Sequence, residues 1–154
     1  MPRALMKPRI YLDTSIVSAY FDVRTPDRMA VTREFWVQSG KYALAASTLT
    51  LEELNDSPGG DLGKKFEHIS RGVEIIPISE TMNEIAREYL RAGVFAPNVW
   101  SDALHVACAV VSRQDILLSW NFKHLVNRRR RAMVNETNVV LGLPALEILA
   151  PSEL

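Results

Sequence analysis

The chain has 154 residues and no net charge, with 47% hydrophobic and 23% charged side chains. That length suits one domain with a proper core, and the charge balance excludes a protein that coats nucleic acid through bulk electrostatics. Apolar runs fall short of the roughly 18 residues a membrane span needs, Pro2, Arg3, Lys7, Pro8 and Arg9 break up any secretory leader, and the lone Cys108 reads as a small buried hydrophobe, so a single cytoplasmic domain over residues 1–154 with no membrane association is expected.

Residues 9–13 (Arg-Ile-Tyr-Leu-Asp) form a short apolar strand, and Thr14 and Ser15 open a helix through Val17 and Tyr20. Thr25-Pro26-Asp27 reads as an N-cap with proline at the first helical position, and that helix runs to about Gln38, where Gly40 stops it. Residues 42–46 form a second strand. Thr50-Leu51-Glu52-Glu53 has capping-box spacing and starts a short helix, which ends in the Asn-Asp-Ser-Pro-Gly-Gly turn at 55–60. Residues 62–69 form a weaker helix closed by Gly72, and 73–78 a strand. Ser79 caps a helix carrying Met82, Ile85, Ala86, Tyr89 and Leu90 on one face, stopped by Gly93. Residues 98–113 form the most apolar helix, hydrophobic nearly all round and therefore buried. Residues 116–120 are a strand, and 146–149 a last edge strand. The run Arg128 to Arg131 reads mainly as a solvated face, with a local basic rim as the other reading, to which Arg24, Arg28 and Arg33 near the first motif belong.

This alternation predicts an α/β fold whose sheet is mostly parallel, has four to five strands and carries helices on both faces. In such sheets ligands bind beyond the carboxyl ends of the strands. Four oxygen donors fall there: Asp13 closes the first strand, Glu53 follows the second, Asp102 opens the buried helix, and Asn121 follows the fourth strand. Each has a plainer explanation as a cap, a dipole partner or a turn residue. Together they outweigh it, because a carboxylate at the head of so apolar a helix needs a cationic partner. No Lys or Arg adjoins Asp102 in sequence. A hard divalent ion that keeps its waters, Mg2+ or Mn2+, suits two or three carboxylates.

Ile-Tyr-Leu-Asp13-Thr14-Ser15 resembles the opening motif of PIN-domain nucleases. Leu49-Thr50-Leu51-Glu52-Glu53-Leu54 resembles their second motif, which makes Glu53 rather than Glu52 the functional acid. Ser101-Asp102-Ala103-Leu104-His105-Val106-Ala107 resembles the third, and Leu117 to Leu125 the fourth, with an ending over 146–151 that is also family-like. No one motif is specific, but the ordered set is. The similar branch is the toxin half of VapBC toxin–antitoxin pairs.

The resemblance implies a PIN-like three-layer α/β/α domain and a metal-dependent endoribonuclease. It also implies a cognate antitoxin and a homodimer. Asp13, Glu53 and Asp102 would bind the ion, with Glu53 orienting or deprotonating the attacking water. Asn121, Ser15 and Ser119 would hydrogen-bond the ion's waters or the scissile phosphate of RNA. Asn121 stands where many PIN domains have a fourth acid, which favours one ion over two. His105 and His124 are weaker candidates for substrate contact. A histidine on a buried helix more often packs and hydrogen-bonds. Trp36, Trp100 and Trp120 read as base-stacking or, at least as well, as core residues. The alternatives are a catalytically weak or inactive PIN-fold interaction protein and, ranked lower, a phosphoacceptor signalling domain, which lacks its acidic pair and closing lysine here.

Overall fold

The computed structural model describes residues 6–154. Five strands form one sheet: β1 (Arg9–Leu12), β2 (Ala43–Ser47), β3 (Glu74–Ile76), β4 (Ile116–Leu118) and β5 (Glu147–Leu149). Their order is β3-β2-β1-β4-β5 and every pairing is parallel. The first strand is central because Ile10, Tyr11 and Leu12 are all fully buried, as a strand covered on both faces must be. Tyr11 lies in register with Ala45 on one side and Leu117 on the other. The chain winds outward from β1 through β2 to β3, then returns to place β4 on the opposite flank. The order in which the strands are added therefore reverses between β1 and β4, and the crevice beyond their carboxyl ends is the place such sheets reserve for ligands.

Seven α-helices connect the strands among the described residues: α1 (Ser15–Phe21), α2 (Pro26–Val37), α3 (Thr48–Asn55), α4 (Leu62–Ile69), α5 (Glu80–Arg91), α6 (Trp100–Val111) and α7 (Arg128–Leu141). In α6 every residue from Ala103 to Val110 is buried, as its apolar circumference requires. Its Ala and Cys side chains let it lie close against its neighbours, among them α5. Burial pushes the Cys108 thiol up to about 12, as befits an inert core residue. No helix among the described residues is long and apolar enough to cross a membrane.

Three local expectations are corrected. The strand at 116–120 ends at Leu118, beyond which the Ser119 side chain enters the site described below and the Trp120 indole enters the core. Thr25 gives no side-chain cap to α2, so Pro26 alone sets that helix start. The capping box of α3 is not Thr50 with Glu53 but Ser47 with Thr50, three residues earlier, with Thr50 N donating to Ser47 Oγ at 3.4 Å. That shift frees Glu53 from a capping role. The structure also adds a helix the hydrophobic pattern did not signal: α7, capped at Asn127 by a bond from Arg130 N and closed by Gly142 at φ 69°.

Candidate active site

Asp13 follows β1 directly and its N–H donates to Leu118 O at 3.0 Å, so the strand pairing itself fixes its position. The residue is only 6% exposed. Its Oδ2 accepts from Ser15 Oγ and from Ser119 Oγ, each at 2.7 Å. Those hydroxyls are held in turn: Ser15 Oγ accepts from Trp120 N at 2.9 Å, and Ser119 Oγ accepts from Asn121 N at 2.9 Å. The first and fourth motifs are thus one hydrogen-bonded unit across neighbouring strands.

Glu53 comes from the second turn of α3 and is half-buried, whereas Glu52 is exposed. Its Oε1 accepts from Thr14 Oγ1 at 2.7 Å and from His105 Nε2 at 2.5 Å. His105, 1% exposed on α6, is the centre of the arrangement. The same Nε2 lies 3.6 Å from Asp13 Oδ1, and Nδ1 is 2.7 Å from the Tyr11 hydroxyl, which is itself 2.7 Å from Ser47 Oγ. Burial alone would hold this imidazole neutral. The Glu53 hydrogen bond and the charges of Asp13, Glu53 and Asp102 outweigh it and raise the His105 pKa above its ordinary value. Burial acts to raise the Glu53 pKa as well, but the His105 bond and charge, with Thr14, bring the net value down.

Asp102 sits in the first turn of α6. Burial first and the Asp13 charge second push its carboxyl up to about 6, with Glu53 adding to the shift and His105 and Arg130 opposing it. The sequence reading found no cation beside Asp102. The fold supplies two: His105, one turn along the same helix, and Arg130 from α7. His105 was legible through its i+3 spacing from Asp102. Arg130 was not, because it belongs to the helix that periodicity missed.

The structure therefore brings Asp13, Glu53 and Asp102 together, with Ser15 and Ser119 bonded to Asp13. Asn121 stands beside the cluster through its backbone, while its Oδ1 accepts from His124 N at 2.9 Å and closes a local turn. Thr14, Tyr11, Ser47 and Arg130 enter the site without having been anticipated. Trp36 and Trp120 are core residues, their indole N–H groups donating to Ile16 O at 3.2 Å and Thr32 Oγ1 at 2.8 Å. Trp100 is half-buried.

Among the described residues no group of three His, Cys, Asp or Glu side chains forms a ready cage for a metal. The donor chemistry nonetheless fits a hard divalent ion that keeps most of its waters: Asp102 carries a carboxyl whose ionisation its surroundings resist, and a cation beside it would relieve that cost.

No family model matches the sequence, and no curated protein matches it. Solved structures do. The chain superimposes on VapBC2 from Rickettsia felis bound to a DNA fragment from their promoter, with a TM-score of 0.56 at 16% identity, over 92% of this chain and 98% of that one. It superimposes on Mycobacterium tuberculosis VapC20, a sarcin-ricin loop cleaving toxin, with a TM-score of 0.53 at 19% identity, over 70% of this chain and 86% of that one. The α/β architecture with its parallel sheet is thus a PIN-like, VapC-type fold.

Proposed function

From that PIN-like fold as premise, we propose that the chain is a single-domain, divalent-metal-dependent endoribonuclease, the toxin component of a type II toxin–antitoxin pair. The observation that carries the reading is the convergence of three acids from three distant segments at the switch point of the sheet, with Asp13 and Glu53 both within 3.6 Å of one histidine nitrogen.

Asp13, Glu53 and Asp102 are the residues that would hold Mg2+ or Mn2+. Such an ion supplies Lewis acidity toward water and a phosphate oxygen, and offsets the repulsion between carboxylates and the RNA backbone. Ser15 and Ser119 pin one oxygen of Asp13 and so orient the other. Thr14 and His105 do the same for Glu53 through Oε1, which leaves Oε2 to orient the attacking water. Asn121, whose Oδ1 accepts from His124 N, would offer its side-chain N–H to a phosphate oxygen or to one of the ion's waters. With water as nucleophile the product carries a 5′-phosphate. The reading extends to a cognate antitoxin, supported by the VapBC2 complex, to a homodimer, which rests on the resemblance in sequence, and to a cytoplasmic location, which rests on the composition of the chain.

Among the described residues the lack of a ready three-ligand cage favours a second reading, a PIN-fold interaction protein without turnover. One experiment separates them. Purified protein is incubated with structured RNA in Mn2+ or in EDTA, beside folded Asp13→Asn and Asp102→Asn variants. The nuclease reading expects cleavage that needs Mn2+ and falls at least a hundredfold in both variants, about what loss of one charge-stabilising group costs. Cleavage that persists in EDTA or in both variants overturns it, and no cleavage by wild type, free of any co-purifying protein, favours the interaction module.

A further inference from the structure

The four consecutive arginines at 128–131 do not share one fate. Arg131 pairs with Glu153 at 2.8 Å. Arg130 turns inward, donating to Val94 O and lying 4.6 Å over the Phe95 ring. Arg128 and Arg129 remain exposed and, among the described residues, pair with no carboxylate. By holding the α5–α6 connection against α7, Arg130 forms one wall of a groove of about 580 Å³ lined by Val94, Phe122, Lys123, Asn127, Arg129 and Arg130.

Three features of this groove point to one class of ligand. Its charged lining is all cationic, in a chain with no net charge. His124 beside it has a lowered pKa, through burial first and then the charges of Lys123 and Arg130. Phe122, 46% exposed, is an aromatic face left open to solvent. It stands edge-on to Trp120 at 6.1 Å with Arg28 5.8 Å over its ring. Unpaired cations flanking a held aromatic ring are the elements that bind single strands, the ring stacking on a base and the cations on phosphates. The groove also adjoins the acidic cluster, since Phe122 follows Asn121, whose N–H donates to Ser119 Oγ, the hydroxyl bonded to Asp13 Oδ2.

We propose that this groove is a subsite for single-stranded nucleic acid, in which Phe122 stacks on a base flanking the cleavage point and Lys123 and Arg129 hold adjacent phosphates. It rests on the hydrolytic reading only for what lies at the end of the strand. An acidic peptide would use the cations, but the carboxylates that draw it there would gain nothing from a phenyl ring, whereas a nucleotide brings a phosphate and a stacking base together.

Binding is measured in EDTA, where no metal-dependent cleavage occurs, by anisotropy of a short labelled single-stranded RNA carrying 2-aminopurine. Phe122→Ala should weaken binding about tenfold and relieve the 2-aminopurine quenching, and Phe122→Tyr should restore both. Lys123→Ala with Arg129→Ala should flatten the salt slope by about 1.4, the value for two single-strand phosphate contacts. Lys64→Ala with Arg71→Ala, equal in charge and outside the groove, should change neither. The proposal is overturned if wild type does not bind, if the Phe122 or Lys123/Arg129 variants bind as wild type, or if the control pair loses as much. Metal-dependent cleavage with unchanged binding in the groove variants sinks this proposal alone. Groove-dependent binding without any cleavage sinks the nuclease reading alone.

Discussion

Asp102 is the residue whose environment works hardest against it. Its carboxyl is raised from the ordinary 3.8 to about 6, so between those values the folded protein holds a proton that the unfolded chain has released. The stability this contributes is fully present below about pH 4 and lost as pH rises through about 6. In EDTA, Asp102→Asn should therefore be more stable than wild type by about 3 kcal/mol at pH 7.5, or roughly 6–12 °C in Tm, with the gap closing toward pH 4. Thermal melts across that range check it; an equal gap at both ends would mean that packing, not ionisation, sets the difference. Adding Mn2+ should raise the wild-type Tm and leave the variant's nearly unmoved. The acids themselves were legible in sequence, since each stands at a strand end or helix start. The partners that decide their chemistry were only partly so. Thr14 and His105 lie beside motif acids, whereas Tyr11 and Arg130 meet the site only through tertiary packing.

Two serine caps show how much an element's start depends on what else that side chain touches. Ser79 caps α5 by accepting from Met82 N at 3.3 Å, and this is a local bond. Ser47 caps α3 in the same way but also meets the Tyr11 hydroxyl at 2.7 Å, deep in the core. Ser79→Ala should cost about 1 kcal/mol and leave RNA cleavage intact. Ser47→Ala should cost about 2 kcal/mol, because it removes one of the two partners of the buried Tyr11 hydroxyl as well as the cap of a helix end. It should also reduce cleavage, since α3 carries Glu53. Denaturant titration and cleavage assays on the two variants test this contrast, which equal costs would contradict. Ser79 and its helix were readable because a cap there precedes an apolar stripe. α7 was not, because only Val134 and Asn138 along it are buried and its polar surface carries no period to detect. Its end signals, Asn127 and Gly142, were present without a hydrophobic pattern to join them.

At the scale of the molecule, the sheet order places the strand that carries the fully buried Ile10, Tyr11 and Leu12 in the middle and three-residue strands at both edges. Amide exchange should follow that order. Ile10, Tyr11 and Leu12 should exchange last, by global unfolding, and β3 and β5 well before them, as native-state hydrogen exchange read by NMR or mass spectrometry would show. Uniform protection across all five strands would show that the edges do not open separately. The strand–helix alternation was readable because parallel strands buried on both faces are short apolar runs between helices. The strand order was not, because nothing in a run such as Ile116–Leu118 names the partner it will pair with. The same order has a consequence for a chain emerging from the ribosome. The first strand cannot complete its ladder until residues 116–118 arrive, because Asp13 is anchored on Leu118 O. Ser119, which holds Asp13 Oδ2, is anchored in turn on Leu149 O. Nearly the whole chain must therefore be synthesised before Asp13, near its beginning, is held in place, and a chain cut short before the last strand would carry Asp13, Glu53 and Asp102 without a finished site.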